Sequence, residues 1–177
     1  IAAVGYDLYC QMVTEAVAEL KGEPIAPSRE INIDLPIQAY LPDEYVPLEE
    51  LRLEAYRRLV GVTGITEVAD IEAEWIDRYG LVPPPAQTLL HIALLRAECV
   101  RLEVSDISVT NRDRVRVSPV ELRQSEQVRF KRLISEGPYK GGTYKEDLKE
   151  LTLHTKSAGP DLPGALFGFF RELRPPD

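Results

Sequence analysis

The stretch IDLPIQAYLPDEYVPLEELRLEAYRRL, residues 33–59, carries the clearest structural signal in this chain. Ile31, Ile33 and Leu35 alternate with polar residues, which is the pattern of a strand with one buried face. Three prolines follow, and Pro47 can occupy the first turn of a helix because its missing N–H is not needed there. The apolar stripe of that helix consists of Leu48, Leu51, Ala55 and Leu59. The sequence therefore predicts a strand followed by an amphipathic helix.

Three more helices are predicted in the first hundred residues from apolar side chains at helical spacing. One covers residues 6–20 and is followed by a loop up to residue 28. Another runs from an N-cap at Thr66 to Tyr79, and Gly80 suits a left-handed position just beyond it. The last follows residues 83–85, which are prolines. The inward-facing residues of these last two helices are predicted to be Val68, Ile71, Trp75 and Tyr79, then Leu89, Leu90, Ala93, Ala97 and Val100.

From residue 104 onward the apolar period changes to two, which is typical of strands. A β-hairpin is predicted around residues 107–117, and a short helix is expected to begin at Ser118 because SPVE fits a capping box. The remaining candidates are strands at Val128, Phe130 and Arg132 and at Leu151 and Leu153, and a closing helix marked by Leu166, Phe169, Phe170 and Leu173. The predicted fold class is a single α+β domain, with a helical N-terminal half and a small, mostly antiparallel sheet in the C-terminal half.

Composition and charge exclude several classes of protein. With 177 residues and 44% apolar content the chain suits one domain, and no apolar run approaches the roughly 18 residues that cross a bilayer. The start IAAVGYDLYC has no basic leader, so no secretory signal is expected, and beginning at Ile1 suggests a piece of a longer protein. A net charge of −8 argues against a whole-domain nucleic-acid footprint. Two distant cysteines, Cys10 and Cys99, indicate a reducing cytosol.

Motifs for catalysis, cofactors and metals are missing from the sequence. The cluster Gly141-Gly142-Thr143 lacks the spacing and the lysine of a phosphate-binding loop, so a turn is predicted there. His91 and His154 have no Cys or His at ligand spacing, and each is expected to be a surface or partly packed side chain. Cys99 is expected to be a small buried hydrophobe. We therefore expect no catalytic, cofactor-binding or metal-binding residue in this chain.

A charged face is predicted on the helix that ends at Tyr79. Residues at four-residue intervals share a helix face, and the charged ones here are Asp70, Glu74 and Arg78, with Asp77 beside them. They fall opposite the apolar residues of the same helix. Two interpretations remain open, a solvated face with an intrahelical Glu74–Arg78 pair or a charged surface that docks on another domain.

A basic cluster lies between residues 112 and 132, which include seven Lys or Arg and only three acids. Arg112, Arg114 and Arg116 occupy alternate positions, so they share one face of the predicted strand. A stripe that contacts nucleic-acid phosphates has this pattern. The outer face of a half-exposed hairpin has it too, and no aromatic residue alternates with the arginines to stack on bases.

Several blocks together resemble the C-terminal domain of the bacterial transcription-repair coupling factors, the Mfd family. In order they are VGYDLYCQMVTEAV (residues 4–17), IDLPIQAYLPDEYV (33–46), LRLEAYRRL (51–59), EWIDRYGLVPPPAQTLLHIALLR (74–96) and SPVELRQSEQVRFKRL (118–133). Their order and spacing match the family over nearly the whole chain, most clearly before Tyr144, and LPGALFGFFREL (162–173) resembles the last helix of the family.

The resemblance implies a parent protein that is an ATP-driven translocase on double-stranded DNA, displaces stalled RNA polymerase and recruits the excision-repair protein UvrA. ATP and Mg would bind in motor domains upstream, so this chain would be neither an enzyme nor a cofactor-binding domain. Residues 1–28 would form a helical arm that continues from the motor, and residues 29–177 the C-terminal regulatory domain. The protein would be cytoplasmic and would not contact a membrane.

The resemblance also implies a role for the charged face. In this family the C-terminal domain is associated with autoinhibition, because it docks on the N-terminal UvrA-binding module and hides the surface that recruits UvrA. The helix involved ends in E-x-x-D-R-[FY]-G, which here is Glu74, Asp77, Arg78, Tyr79 and Gly80. The resemblance therefore favours the docking interpretation. An accessory DNA-contacting domain that uses residues 112–132 is the alternative.

Overall fold

The computed structural model describes residues 31–110, 113–136, 139–154 and 161–176. Within these ranges the helices are α1 (Glu49–Val60), α2 (Ile65–Tyr79), α3 (Pro84–Leu102), α4 (Gln124–Ser135) and α5 (Leu162–Leu173). The strands are β1 (Asn32–Asp34), β2 (Asp106–Thr110), β3 (Arg114–Ser118), β4 (Thr143–Lys145) and β5 (Glu150–His154). The protein is a single α+β domain, as predicted. The helix predicted over residues 6–20 and the arm over residues 1–28 lie outside the described residues.

The five strands form one mixed sheet in the order β1-β2-β3-β5-β4. β1 runs parallel to β2, and the other three pairings are antiparallel. One row of side chains crosses four of the strands and is buried, namely Ile33, Ile107, Val117 and Leu151. The mostly antiparallel sheet is therefore confirmed, and its buried face follows the period-two pattern of the sequence.

The domain contains two compact units. The helical unit is Gln38–Ala97, and the sheet unit combines Ile31–Ile37 with Glu98–Asp177. The core of the helical unit comprises Leu41, Val46, Ala55, Leu59, Val68, Ile71, Trp75, Ala86, Leu89, Leu90 and Ala93. In the sheet unit, Phe130 of α4 meets Phe169 of α5 edge-on, with ring centroids 6.2 Å apart. The predicted closing helix is confirmed, because Leu166, Phe169, Phe170 and Leu173 are all buried.

The starts and ends of the first three helices differ in detail from the prediction. Leu48 is 63% exposed, not part of the buried stripe, because it is the N-cap residue that precedes the first turn of α1. The N-cap residue of α2 is Gly64, not Thr66. The helix begins one residue earlier than Thr66, and the Glu67 carboxylate in its first turn accepts a hydrogen bond from the Thr63 amide at 3.1 Å. Val100 is 54% exposed, because the side chains that the last turn of α3 buries are those of Cys99 and Leu102.

The prediction of a short helix that begins at Ser118 is wrong. No helix begins there, because Ser118 ends β3 and its carbonyl accepts a hydrogen bond from the Ser105 amide at 3.1 Å. α4 begins at Gln124 instead, and Val128, Phe130 and Arg132 belong to this helix and not to a strand. Residues two apart point in nearly opposite directions on a helix. Phe130 is accordingly buried while Val128 is 70% exposed.

Several local predictions are confirmed. β2 and β3 form the predicted hairpin. Gly80 has φ of 85° just after α2, a conformation that favours glycine, and Gly141 has φ of 84° in the turn before β4. Cys99 is fully buried in α3. Among the helices that the structure describes, none combines the length and the apolar content of a membrane span.

Candidate docking surface on α2

The orientation of α2 is set by the side chains that it buries. Val68, Ile71 and Trp75 are all almost completely buried in the core of the helical unit. Their spacing places them on one side of the helix, so the charged residues between them lie elsewhere on its circumference. Asp70, Glu74, Asp77 and Arg78 are exposed or partly exposed. We call these four residues the charged face of α2.

Glu74 joins α2 to α1. Its Oε2 atom lies 2.5 Å from Nη1 of Arg58 on α1, and its Oε1 atom lies 2.8 Å from Nη1 of Arg78 on α2. These hydrogen bonds, the one from Arg58 above all, hold the pKa of the Glu74 carboxyl below its usual value. The hydrogen bond between Arg78 and Glu74 raises the pKa of Arg78. Both carboxylate oxygens of Glu74 are therefore engaged within the helical unit.

Arg78 has a second neighbour in Tyr79. Its guanidinium lies over the ring of Tyr79, 5.2 Å from the ring centroid, at a distance typical of a cation–π contact. Tyr79 in turn meets Tyr45 edge-on, with ring centroids 5.6 Å apart. The predicted intrahelical Glu74–Arg78 pair is thus one link in a longer chain of contacts.

Tyr45 fastens the C-terminal end of α2. Its hydroxyl oxygen lies 3.0 Å from the carbonyl oxygen of Gly80 and 3.2 Å from that of Trp75, so these two acceptors share its single proton. Burial, followed by the neighbouring Tyr79, raises the pKa of Tyr45, so the hydroxyl stays protonated and keeps its donor. This hydroxyl therefore ties Tyr45 to the backbone at the C-terminal end of α2.

α1 holds residues 41–47, the segment between Leu41 and Pro47 that carries Tyr45. The Leu41 amide donates to the Tyr56 hydroxyl at 2.7 Å. Nη1 of Arg52 donates to the carbonyl of Val46 at 2.6 Å and to that of Pro47 at 3.0 Å. Residues 33–59 therefore fix the position of α2 through α1 and Tyr45.

Asp70 and Asp77 differ from Glu74 in having no ion pair within the described part of the chain. Both are exposed, and they lie seven residues apart, which on a helix is two turns or about 10 Å. The structure therefore separates the predicted residues into an engaged pair, Glu74 and Arg78, and two open carboxylates.

Arg58 was not among the predicted residues. The sequence offers no signal for it, because the partners are 16 residues apart on different helices.

The basic cluster is less open than the sequence suggested. Nη2 of Arg116 lies 3.0 Å from Oδ2 of Asp106 on the neighbouring strand. Nη1 of Arg129 donates to the carbonyl of Leu173 at 2.9 Å. Arg114 is exposed and lies on the same strand face as Arg116, and Arg112 lies outside the described residues. Two of the predicted basic side chains therefore serve contacts inside the sheet unit.

The residues that the structure describes contain no group of three or more His, Cys, Asp or Glu side chains that could hold a metal ion. His91 lies in α3 and His154 at the end of β5, and both are partly buried.

The charged face of α2 consists of the Glu74–Arg78 ion pair and the open carboxylates of Asp70 and Asp77. Chemically, it can bind a polar partner.

Comparisons with known proteins agree with this fold. The sequence profile of the TRCF domain matches residues 35–132. The transcription-repair-coupling factor of Mycobacterium tuberculosis (strain CDC 1551 / Oshkosh) is 38% identical over 154 residues, which are 81% of this chain and 12% of that protein. The factor of Staphylococcus haemolyticus (strain JCSC1435) is 32% identical over 158 residues, 87% of this chain and 13% of that protein. This chain therefore spans only a small part of the relatives that it matches.

A solved structure has the same fold. It is described as the crystal structure of the C-terminal domain of transcription-repair coupling factor, and it matches with a TM-score of 0.67. The match covers 84% of this chain and 95% of that one. Sequence identity is 20%, so this likeness concerns the fold alone.

Proposed function

This chain belongs to the TRCF domain family, and from that premise we propose that it is the non-catalytic, autoregulatory C-terminal domain of an ATP-dependent DNA translocase. In this proposal the parent protein displaces stalled RNA polymerase from double-stranded DNA in the cytoplasm. It then recruits UvrA to start nucleotide-excision repair. ATP and Mg bind in the motor domains of the parent and not in this chain. The domain docks on the N-terminal UvrA-binding module of its own protein and hides the UvrA-recruiting surface.

One observation carries the docking part of the proposal. The charged face of α2 lies outside the core, and its Arg58–Glu74–Arg78 network holds polar side chains in a defined arrangement on an exposed surface. An autoinhibitory contact has to open when the motor engages. A polar, salt-sensitive interface opens more readily than a large apolar one. The exposed charges of α2 suit that requirement.

The experiment is a charge reversal in the full-length protein. Glu74→Lys combined with Asp77→Lys should weaken docking, expose the recruiting surface and raise both UvrA binding and basal ATPase activity. Glu50→Lys is the matched control, because Glu50 is an exposed acid on α1 with no ion pair within the described residues. If the double variant raises neither quantity above the control, this proposal is wrong.

A second candidate is an accessory DNA-contacting domain. It is favoured by Arg114, Lys131 and Arg132, which are exposed and have no ion pair in the part of the chain that the structure describes. The contacts of Arg116 and Arg129 inside the sheet unit weaken it. A salt titration of duplex DNA binding by this chain separates the candidates, because a binder that neutralises several phosphates shows a steep salt dependence. Weak binding with no salt slope would exclude this second candidate.

A further inference from the structure

The outward side of α4 carries an exposed apolar residue among polar and basic ones. α4 packs on the sheet unit through its other side, where Phe130 is only 3% exposed. Val128 points in nearly the opposite direction and is 70% exposed. Gln124, Lys131 and Arg132 lie three or four residues from Val128, so they share its side of the helix, and all three are exposed. We call Gln124, Val128, Lys131 and Arg132 the outer face of α4.

The folding of α4 does not account for Val128. Its side chain lies outside the core. A β-branched residue also loses side-chain freedom in a helix, which makes valine a weaker helix former than alanine or lysine. The helix dipole accounts for a positive charge in the last turn, such as Arg132, but not for an exposed valine. A single exposed apolar residue is ordinary, and what sets Val128 apart is its pair of basic neighbours.

Lys131 and Arg132 stand on either side of Val128. At 3.6 residues per turn, Lys131 lies about 60° to one side of Val128 around the helix and Arg132 about 40° to the other. Neither has an ion pair within the described residues. The acids of this stretch lie elsewhere, because Glu126 is buried and Glu136 follows the helix as its C-cap residue. The outer face of α4 therefore presents an apolar side chain between two available cations.

The distribution of charge along the chain favours a protein partner over nucleic acid. Residues 38–97 carry ten Asp or Glu and five Lys or Arg, whereas the sheet unit carries fourteen of each. The positive charge of α4 is therefore local, in a neutral unit of an acidic chain, and it does not extend into the broad basic footprint that DNA requires. A phosphate backbone also makes no use of an exposed valine, and no aromatic residue on this face could stack on a base.

We propose that the outer face of α4 binds an acidic protein segment. An apolar side chain of that segment packs on Val128, and carboxylates on either side of it meet Lys131 and Arg132. An apolar residue between two acids is the direct complement, in shape and charge, of an apolar residue between two cations. This inference goes beyond the proposed function, because it assigns a second interaction surface on a different helix and does not depend on docking through α2.

The test uses this chain, labelled with 15N, and two synthetic helical peptides. One peptide has a leucine flanked on the same face by two glutamates, and the other has glutamines in their place. At low salt the glutamate peptide should shift the amide signals of residues 124–135. It should also bind about tenfold more tightly than the glutamine peptide, because it adds two exposed ion pairs. This preference should shrink as salt is added.

Variants of the outer face of α4 separate its charges from its apolar residue. Lys131→Gln combined with Arg132→Gln should bind the two peptides equally, because no cation is left to distinguish them. Val128→Ser should weaken both peptides about threefold and keep the preference for glutamate. The control is Arg57→Gln combined with Lys145→Gln, which removes two exposed charges outside α4 and should bind both peptides as the native chain does.

Four results would overturn the proposal. They are no binding of the glutamate peptide, signal shifts confined to residues outside α4, a preference for glutamate that survives the loss of Lys131 and Arg132, and tighter binding of duplex DNA than of the glutamate peptide at the same salt concentration. The last result would make the outer face of α4 a nucleic-acid surface. UvrA binding is not measured in this test, so its failure is distinct from a failure of docking through α2.

Discussion

Arg174 and Glu126 form a two-point ion pair that joins the end of α5 to the first turn of α4. Nε of Arg174 lies 2.6 Å from Oε1 of Glu126, and Nη2 lies 2.9 Å from Oε2. Glu126 is only 5% exposed, so its charge depends on this partner and on the Arg123 amide at 2.8 Å. The pair fastens the last helix of the sheet unit to the rest of its core.

Replacing Arg174 with methionine should therefore destabilise this chain. The change keeps the apolar stem but leaves the Glu126 carboxylate buried with one partner fewer. Breaking such a pair costs about 2–3 kcal/mol in the free energy of unfolding, since Arg174 is partly exposed. Urea denaturation measures it. Lys131→Met on the exposed side of α4 is the control, and equal losses for the two variants would contradict the importance of the pair.

The same pair makes stability depend on pH. Burial alone would raise the pKa of Glu126, but the hydrogen bonds from Arg174 and from the Arg123 amide outweigh it and hold the pKa below the usual 4.5. A lowered folded-state pKa stabilises the protein above the unfolded value, and this stabilisation is lost as the pH falls through the folded pKa. The stability gap between the native chain and Arg174→Met should therefore shrink below about pH 4.5. A gap that stays constant between pH 7 and pH 3 would contradict this.

Gly80→Ala and Gly61→Ala should have opposite effects on stability. Gly80 has φ of 85°, where an alanine Cβ is strained although no atom lies within 4 Å of it, so the expected loss is about 1–2 kcal/mol. Gly61 has φ of −78° and ordinary contacts of 3.6 Å, so alanine should be neutral or stabilise by up to about 1 kcal/mol. Thermal unfolding of both variants checks the pair. Equal losses would show that the backbone at Gly80 is not under this constraint.

Tyr45→Phe should loosen the C-terminal end of α2 while leaving the ring in place. The carbonyls of Trp75 and Gly80 lose their hydroxyl donor, which costs about 1 kcal/mol in unfolding free energy. Tyr40→Phe is the control, because Tyr40 is 47% exposed and its hydroxyl makes no hydrogen bond within the described ranges. Amide hydrogen exchange in the last turn of α2 should accelerate only in Tyr45→Phe. Unchanged exchange there would mean that the hydroxyl does not anchor the helix.

The sequence predicted elements well where one face is buried and the pattern is local. The hairpin of β2 and β3 was predicted because Val115 and Val117 alternate with arginines, and the structure buries both valines. Val128, Phe130 and Arg132 predict a strand because they sit two apart, but they belong to α4. Only tertiary burial reveals that Phe130 packs inward while Val128 is exposed.

The candidate surface was predictable only in part. Its residues on α2 follow from helical spacing within one element. Arg58 does not, because its contact with Glu74 joins two helices and depends on how α1 packs beside α2. The engagement of Arg116 by Asp106 likewise depends on strand register, which the sequence does not specify by itself.

The most direct measurement of the central claim is a binding titration between this chain and the purified N-terminal UvrA-binding module. We expect binding that weakens as salt rises from low to physiological concentration, because salt would screen a contact made through charged side chains. Asp70→Lys combined with Asp77→Lys should abolish it, and Glu50→Lys should leave it unchanged. Absence of binding at low salt, or equal binding by all three proteins, would contradict docking through the charged face of α2.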